Sequence, residues 1–333
     1  MKEVRDHARE LMKGFCRVCP VCNGKACASE VPGMGGLGTG SSFFNNMKAL
    51  EMVRLRLRLV HDAVQPDTAT SLLGMDLAMP VLAAPIGGVS FNMGGKISEE
   101  DYIDAVLAGC KEKGIVGCTG DGVPDFIHEA GNAALVKFGG IPFIKPWESD
   151  ELFTKIDKAA AAGATIFGMD LDAAGLVTLR KMGRPVAPKS LDQLKEIVER
   201  TPGKFILKGV MTVEDARLAV EAGVDAIVVS NHGGRVLDYA QGTAEVLPSI
   251  AVAVNGDMEV IVDGGIRTGV DVLKMLALGA DAVMIGRPFS IAAVGGLAEG
   301  VGKYLDQLRG ELEQAMVLTG CKSVADINER VLA

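Results

Sequence analysis

A short apolar run, a turn containing glycine or aspartate, and an amphipathic helix recur along this chain, and this repeat indicates its fold. Eight of the runs are predicted to be strands: Val81–Ala84, Ile115–Cys118, Pro142–Lys145, Thr165–Met169, Phe205–Lys208, Ala226–Ser230, Val260–Asp263 and Ala282–Ile285. The predicted helices between them include Glu99–Lys113, Asp150–Ala162, Leu191–Arg200, Val213–Ala222 and Val270–Leu278. Alternating strands and helices indicate parallel βαβ units. Eight units in about 250 residues favour an α/β fold of the TIM (β/α)8 barrel type over an open doubly wound sheet.

The composition is that of one large globular domain with an acidic surface. The chain has 333 residues, 48% of them hydrophobic and 23% charged, so it can bury a sizeable core. The net charge of -8 and the isoelectric point near 5.2 argue against a nucleic acid or an anionic membrane as partner. The charged N-terminus lacks the apolar stretch of a secretory signal, and no apolar run approaches the roughly 20 residues of a membrane span. We therefore expect a cytoplasmic protein with a Cys- and Gly-rich arm over residues 1–45 and a barrel with an N-terminal extension, the barrel spanning 46–333.

A histidine and an arginine stand three residues apart directly after one of the predicted strands. The segment Ser230-Asn231-His232-Gly233-Gly234-Arg235 follows the apolar run Ala226-Ile227-Val228-Val229. Burial of such groups without partners is costly, so packing alone does not explain them. Chemistry in a TIM barrel takes place at the carboxyl ends of the strands. A base and a cation at this position indicate proton chemistry on an anionic substrate.

The loops after the last two predicted strands have the composition of a phosphate site. Glycines let backbone N–H groups approach an anion closely, and arginines add charge-assisted hydrogen bonds. A short helix is expected to start near Pro288, and the loops after barrel strands 7 and 8 commonly bind phosphate in this fold. The residues concerned are Gly264, Gly265, Arg267, Gly286 and Arg287.

Three blocks of the sequence carry a family resemblance. They are Leu207-Lys208-Gly209-Val210, the segment Ser230 to Arg235 followed by Leu237-Asp238, and Asp263-Gly264-Gly265-Ile266-Arg267 together with Gly286-Arg287-Pro288. These blocks resemble the FMN-dependent α-hydroxy-acid oxidising enzymes, the group of glycolate oxidase, lactate oxidase and flavocytochrome-type lactate dehydrogenase. The similarity extends from Asn45 to Leu318 and is most specific from Phe205 onward. It implies that the phosphate belongs to FMN and that the protein oxidises a 2-hydroxy acid to the 2-oxo acid.

The resemblance implies cofactor contacts at most of the strand ends. Lys208 would lie near the flavin N1 and C2 oxygen, where a cation stabilises reduced flavin. Ser230 would contact the ribityl chain or the ring, Thr119 stands where the family has a serine, and Lys145 stands where it usually has a glutamine. The implied cofactor-binding residues are Ala84, Pro85, Ile86, Gly87, Thr119, Lys145, Lys208, Ser230, Asp263, Gly264, Gly265, Arg267, Gly286 and Arg287.

The same resemblance implies the catalytic residues. His232 matches the family base, and Asp170 matches the aspartate that pairs with this histidine, orients its ring and stabilises its protonated form. Arg235 matches the arginine that binds the substrate carboxylate in bidentate fashion. With Lys208 these are the candidate catalytic residues, and Arg235, His232, Trp147 and Arg180 are the candidate substrate contacts.

Several positions depart from the family pattern. A second carboxylate-binding arginine is expected a few residues after the aspartate, but an ungapped alignment from Asp170 puts Val177 there, with Arg180 and Arg184 as the nearest substitutes. The segment from Asp170 to Lys208 is also shorter than the mobile lid of the family. Trp147 replaces a tyrosine whose hydroxyl bonds the substrate. These changes leave FMN binding intact but leave the identity of the substrate open.

The N-terminal arm contains Cys16, Cys19, Cys22 and Cys27 at C-x2-C-x2-C-x4-C spacing, which the resemblance does not explain. Three interpretations stay open. The thiolates could bind an iron–sulfur cluster or zinc, they could cycle as a redox disulfide, or they could be free thiols in a structured arm. The other three cysteines, Cys110, Cys118 and Cys321, are expected in the core.

The glycine-rich run Gly33 to Ser42 is predicted to be an arm across the barrel mouth. It is not a nucleotide loop, because no strand precedes it and no lysine follows at P-loop spacing. Phe43, Phe44 and Asn45 would then cap the site.

Two other functions are compatible with the same barrel. One is an FMN-dependent isomerase or reductase, against which Arg235 beside His232 argues. The other is a non-catalytic flavin sensor in which the cysteine arm reports redox state.

The sequence leaves the electron acceptor open among oxygen, a quinone, another flavoprotein and a cluster at the cysteines. The resemblance suggests a homo-oligomer, either a tetramer or two stacked tetramers.

Overall fold

Eight parallel strands close into a barrel in the computed structural model, which describes residues 1–148, 150–176, 179, 182–184 and 186–333. The barrel strands are β3 (Val81–Ile86), β4 (Val116–Thr119), β5 (Ile141–Ile144), β6 (Ile166–Asp170), β7 (Lys204–Val210), β8 (Ala226–Val229), β9 (Glu259–Val262) and β10 (Ala282–Ile285). They pair in chain order, and β10 closes the ring on β3. The predicted TIM barrel is confirmed, and all eight apolar runs form its strands.

Helices surround the barrel and connect its strands. They are α1 (Lys2–Leu11), α2 (Ser41–Met52), α3 (Val89–Asn92), α4 (Glu99–Glu112), α5 (Phe126–Phe138), α6 (Asp150–Ala161), α7 (Leu191–Arg200), α8 (Val213–Glu221), α9 (Thr243–Val254), α10 (Gly269–Ala277) and α11 (Arg287–Thr319). The five helices predicted from the periodicity agree with α4, α6, α7, α8 and α10 to within one residue at each end. No helix in the described ranges is both long enough and apolar enough to cross a membrane.

A hairpin covers the amino-terminal end of the barrel. Its strands β1 (Thr70–Leu72) and β2 (Met75–Leu77) pair antiparallel. Leu72 and Leu77 are buried against the side chains that fill the barrel interior, which include Leu82 and Phe143. The backbone N–H of Leu73 donates to the carboxylate of Glu259, the first residue of β9, at 2.7 and 2.9 Å. With this end closed, a ligand enters from the carboxyl end.

The N-terminal arm packs against both the outside and the mouth of the barrel. Helix α1 lies on α11 so closely that a Cβ on Gly295 would fall 2.0 Å from the carbonyl oxygen of Val4. The arm then crosses the carboxyl end of the barrel, where the N–H of Leu37 donates to the carbonyl of Gly234 at 2.9 Å. Helix α2 runs through residue 45, so the proposed division between arm and barrel falls inside a helix.

Candidate active site

A cavity of about 270 Å³ lies at the carboxyl ends of the barrel strands. Its described lining combines apolar side chains with a cluster of charged ones. Five of the charged residues are basic and three are acidic, in a protein whose net charge is -8. They are Lys145, Lys208, Arg235, Arg267 and Arg287, and Asp121, Asp170 and Asp263, and His232 lies among them. A local excess of positive charge in an acidic protein favours an anionic ligand.

His232 lies on a tight loop directly after β8. It has a positive φ of 56°, and the two glycines after it also have positive φ, so the chain turns back across the cavity within three residues. The N–H of His232 donates to the hydroxyl of Ser230 at 3.0 Å, and its Nδ1 lies 2.9 Å from Asp172 Oδ1. Because Nδ1 is turned toward a carboxylate, Nε2 is the nitrogen available to take a proton in the cavity.

The expectation that Asp170 pairs with His232 is wrong in this structure. Asp170 is the last residue of β6 and lies in register with Lys208 on β7, so its Oδ1 meets the Lys208 ammonium at 2.9 Å. Asp172 lies beyond the strand end, in a short 3₁₀ turn, and from there it reaches His232. A Cβ on Gly209 would lie 2.7 Å from the Cβ of Asp172, so a glycine after Lys208 makes room for this aspartate. Asp172 is therefore a site residue that the sequence analysis missed.

Lys208 holds three carboxylates together at the bottom of the site. Its Nζ lies 2.9 Å from Asp170, 3.8 Å from Asp172 and 3.9 Å from Asp263. Burial alone would lower the pKa of Lys208, but the three carboxylates outweigh it and raise that pKa above its ordinary value. Burial would raise the pKa of Asp170, and Lys208 outweighs this effect and holds it well below its usual range. For Asp263 burial prevails, and its pKa is raised.

Two of these carboxylates, Asp170 and Asp172, form with His232 the one group of potential metal ligands found in the described ranges. Oxygen or nitrogen atoms of Asp170, Asp172 and His232 lie within 4.8 Å of one another. The Lys208 ammonium already lies within salt-bridge distance of both aspartates. The positive charge next to Asp170 and Asp172 is therefore supplied by the Lys208 ammonium.

Two partly buried arginines face the cavity without a carboxylate partner in the described part of the chain. Arg235 donates to the carbonyl oxygens of Gly33 and Gly35 and to Asn92 Oδ1, the last at 3.0 Å. Arg287 donates to the carbonyls of Met34, Gly35 and Gly233 at 2.7 to 3.1 Å. Burial lowers the pKa of Arg235 to about 10 and, together with neighbouring arginines, that of Arg287 to about 9. Both retain a charge at neutral pH that an anion can neutralise.

Arg267 offers an unused donor beside them. Its Nη1 donates to the carbonyl of Ile266 at 2.9 Å and its Nη2 to the carbonyl of Cys22 at 3.4 Å. Its Nε is buried and finds no hydrogen-bond partner within the described residues. A buried N–H without a partner is costly, so this atom points to a ligand acceptor. Helix α11 begins at Arg287, as expected for the helix near Pro288, and Gly286 before it lines the same cavity.

Several predicted cofactor residues line the cavity and others do not. Among the former are Ala84, Pro85, Ile86, Gly87, Lys145, Lys208, Asp263, Gly264, Gly265, Arg267, Gly286 and Arg287. Thr119 and Ser230 are buried outside the lining. The Ser230 hydroxyl instead donates to Asp263 Oδ2 at 2.8 Å, so it orients that carboxylate.

The predicted substrate contact at Trp147 is also wrong in this structure. The indole is 1% exposed and is not part of the cavity lining. Its Nε1 donates to Asp121 Oδ2, and its ring stacks beneath the ammonium of Lys155, 4.9 Å away. The indole N–H is thus already satisfied, and the tryptophan supports Asp121.

Neither Arg180 nor Arg184 is supported as the second arginine that binds the substrate carboxylate. Arg180 and Val177 lie outside the described residues. Arg184 binds Glu151 and lies over the ring of Trp147, outside the cavity lining. With Asp172 as the aspartate of the pair, the position assigned to Val177 moves two residues on, to Leu179, which is 5% exposed and lines the cavity.

The glycine-rich arm contributes part of the cavity wall. Of the run Gly33 to Ser42, Met34 lines the cavity, and Val31 and Pro32 just before the run line it too, in agreement with an arm across the barrel mouth. None of Phe43, Phe44 and Asn45 belongs to the described lining; Phe43 instead packs under Arg287, 3.8 Å from the guanidinium carbon to the ring centre.

The four cysteines of the arm surround a second, smaller pocket. All four are free thiols, and Cys16 and Cys27 have pKa values raised chiefly by burial. No three of their sulfurs lie within 4.8 Å of one another in the arm, which is described throughout. The sulfurs of a tetrahedral zinc site would lie closer, about 3.8 Å apart for Zn–S bonds near 2.3 Å. Cys110, Cys118 and Cys321 are buried, as predicted.

Comparison with known proteins identifies the family. A family model described as FMN-dependent dehydrogenase matches residues 33–185 and 174–333. The chain is 32% identical to bovine 2-hydroxyacid oxidase 2, over 86% of this chain and 88% of that protein. It is also 32% identical to the L-lactate oxidase of Lactobacillus jensenii, over 85% and 76%. A solved structure of a mandelate oxidase mutant with a C4a-OH-FMN adduct superposes with a TM-score of 0.78 at 30% identity, covering 99% of this chain and 98% of that one.

Proposed function

This chain belongs to the FMN-dependent dehydrogenase family, and we propose that it oxidises a 2-hydroxy acid with an apolar side chain, using His232 as base and Arg235 to bind the carboxylate. The single observation that carries the proposal is the pairing of His232 with Asp172 at 2.9 Å in the cavity that also exposes the unneutralised guanidinium of Arg235. In this family FMN accepts the two electrons that are removed from the 2-hydroxy acid.

The lining residues fit FMN by the chemistry of their donors. A phosphate needs N–H donors and positive charge, which Arg267 Nε and the backbone around Gly286 at the start of α11 provide. A flavin ring needs a cation near its N1 and C2 oxygen, and Lys208 is a charged group held rigidly in the cavity. Residues Ala84 to Gly87 at the end of β3 provide apolar surface and backbone groups for the ring.

The proton-transfer role of His232 follows from its hydrogen bonds. Asp172 accepts from Nδ1–H, which leaves Nε2 as the acceptor of the substrate proton. When the ring becomes charged, the same carboxylate stabilises it. Ser230 holds the loop by accepting the N–H of His232, so the ring faces the cavity in a fixed orientation.

Arg235 would bind the substrate carboxylate. The family's second carboxylate-binding arginine has no counterpart at its expected position, two residues after Val177. Leu179 lies there, next to Leu176 and Met182, which also line the cavity. Phe91 and Ile127 extend the apolar lining on the β3 and β4 sides. An apolar wall gains free energy from a substrate side chain at about 25 cal/mol per Å² of buried apolar area. We therefore propose a substrate larger than glycolate.

Steady-state oxidation of a series of acids with an artificial electron acceptor tests this proposal. We expect kcat/KM to rise from glycolate through lactate to 2-hydroxy acids with four-carbon or aromatic side chains, by a factor of about 4 for each buried CH₂ group. A series in which glycolate is the best substrate would contradict the apolar pocket. Failure of every acid in the series would contradict the oxidation itself.

Replacement of Arg267 with glutamine is expected to weaken FMN binding. The substitution removes a charge and an N–H donor from the phosphate site, and charge-assisted hydrogen bonds are worth about 1.5–3 kcal/mol. The Kd of FMN should therefore rise roughly 10- to 100-fold. Fluorescence titration of the apoprotein with FMN measures this, with Arg184→Gln as a matched control, since Arg184 lies outside the cavity lining. Equal losses in both variants would count against the assigned phosphate site.

A further inference from the structure

The four cysteines of the arm form a pocket that nothing in the proposed oxidation uses. Cys16, Cys19, Cys22 and Cys27 all line this pocket, together with Arg287 and Ile291 from α11. The local chain is folded to bring them there: Val18 and Gly24 have positive φ, and a 3₁₀ turn spans Lys25–Cys27. Four thiols from twelve consecutive residues thus face one enclosed space.

Basic side chains bind the loop that carries the thiols through hydrogen bonds and an ion pair. Arg5 from α1 donates to the carbonyl of Cys19 at 2.6 Å, and Arg9 donates to the carbonyl of Val18 at 3.1 Å. Arg17 forms a bidentate ion pair with Glu30, in which Nη1 and Nη2 each lie 2.7 Å from a carboxylate oxygen. These contacts order a segment that has few apolar side chains of its own. A loop ordered in this way is preorganised to bind a ligand.

Two arginines, Arg17 and Arg287, line the pocket. The partly buried Arg287 lines both this pocket and the active-site cavity. Arg267 Nη2 approaches Cys22 Sγ at 3.6 Å, and the N–H of Val18 donates to Cys16 Sγ at 3.4 Å. N–H donors to sulfur and nearby cations stabilise the negative charge of cysteine-bound iron–sulfur clusters.

The spacing of the sulfurs distinguishes between metal centres. A single zinc ion requires all four sulfurs on one small tetrahedron, and within the arm no three of them lie within 4.8 Å. In a four-iron cluster each cysteine binds a different iron, so the sulfurs lie farther apart around a larger core. No histidine belongs to the described lining of the pocket, and the four thiols match the Cys₄ ligand set of such a cluster.

From this arrangement we propose that Cys16, Cys19, Cys22 and Cys27 bind a [4Fe–4S] cluster. The site is separate from the substrate cavity but shares Arg287 and Met34 with it as walls. The proposal does not depend on the substrate or on the oxidation, because cluster binding is measured in the resting protein.

Iron and acid-labile sulfide analysis of protein purified without oxygen tests the proposal. We expect about four iron and about four sulfide per chain, and an electron paramagnetic resonance signal of a reduced cluster after dithionite is added. Background iron and sulfide, both as purified and after anaerobic reconstitution with ferrous iron and sulfide, would overturn it. So would one zinc per chain in place of iron.

Single serine variants locate the cluster. Cys19→Ser and Cys22→Ser should lose most of the iron while keeping FMN in the stoichiometry of the wild type, which shows that the barrel is folded. Cys321→Ser is the matched control, because Cys321 is buried near the C-terminus, outside the pocket. Wild-type iron content in both arm variants, or the same loss in Cys321→Ser, would contradict the assignment to the arm.

Discussion

Substitution of His232 by glutamine is expected to slow reduction of the bound flavin by a 2-hydroxy acid roughly 10²- to 10⁴-fold, the usual contribution of a positioned general base. Glutamine keeps the approximate size and polarity of the side chain but cannot accept a proton at neutral pH. The loop after β8 should remain in place, because Ser230 accepts the backbone N–H of residue 232, which the substitution retains. Anaerobic stopped-flow spectroscopy measures the rate directly.

Retention of FMN is the control for the His232 variant. FMN content and affinity should stay within about twofold of the wild type, since Lys208, Arg267 and Arg287 are untouched. A variant that reduces its flavin at the wild-type rate would show that His232 is not the base. A variant that loses FMN would show that the residue is structural.

Substitution of Asp172 is expected to have the second large effect on the rate of flavin reduction. The effect distinguishes the role of Asp172 from that of Asp170. Asp172→Asn should lower the rate of flavin reduction by up to about 10⁴-fold, because an amide no longer fixes the tautomer of His232 or stabilises the charged ring. Asp170→Asn should act through Lys208 instead. It removes the carboxylate at 2.9 Å from the ammonium, so more positive charge is available to reduced flavin and the flavin reduction potential should rise.

Paired measurements on the two aspartate variants make the comparison decisive. Stopped-flow reduction rates and equilibrium reduction potentials are measured on both proteins. We expect the large loss of reduction rate in Asp172→Asn and the upward shift in flavin reduction potential in Asp170→Asn. The opposite assignment would mean that Asp170, which the sequence resemblance favours, is the partner of His232 in solution.

The acidic pair shows a limit of sequence reasoning. Asp170 and Asp172 are two residues apart, and side chains at that spacing share one face of a strand, so the periodicity that identified β6 cannot distinguish them. The distinction comes from where β6 ends: Asp170 is still in register with Lys208, and Asp172 is already in the turn. The glycine after Lys208 agrees with this arrangement, because a Cβ at Gly209 would lie 2.7 Å from the Cβ of Asp172.

The barrel itself was predictable because its signal is local and repeated. Each apolar run of four or five residues lies between turn residues, and eight such runs leave few other architectures. Trp147 was not predictable in the same way. The resemblance suggested a substrate contact there, because the family has a tyrosine at this position. The indole N–H is instead satisfied by Asp121, just beyond the end of β4, a pairing that depends on how neighbouring strand ends meet.

Helices α1 and α2 precede the strand-helix repeat of the barrel. The pattern that located the barrel helices therefore did not predict them. The mouth of the barrel depends on them all the same. The carbonyl groups of Gly33, Met34 and Gly35 accept hydrogen bonds from Arg235 and Arg287, so the arm orients the two cations that we assign to the substrate and the cofactor. These contacts link residues about 200 to 250 positions apart, and no motif in either segment predicts them.

The proposed oxidation is tested by anaerobic addition of a 2-hydroxy acid with an apolar side chain to the FMN-loaded protein. We expect loss of the oxidised-flavin absorbance, with one 2-oxo acid formed for each flavin reduced. Retention of the oxidised-flavin spectrum with lactate, mandelate and longer 2-hydroxy acids, in a protein that holds FMN in full stoichiometry, would contradict it.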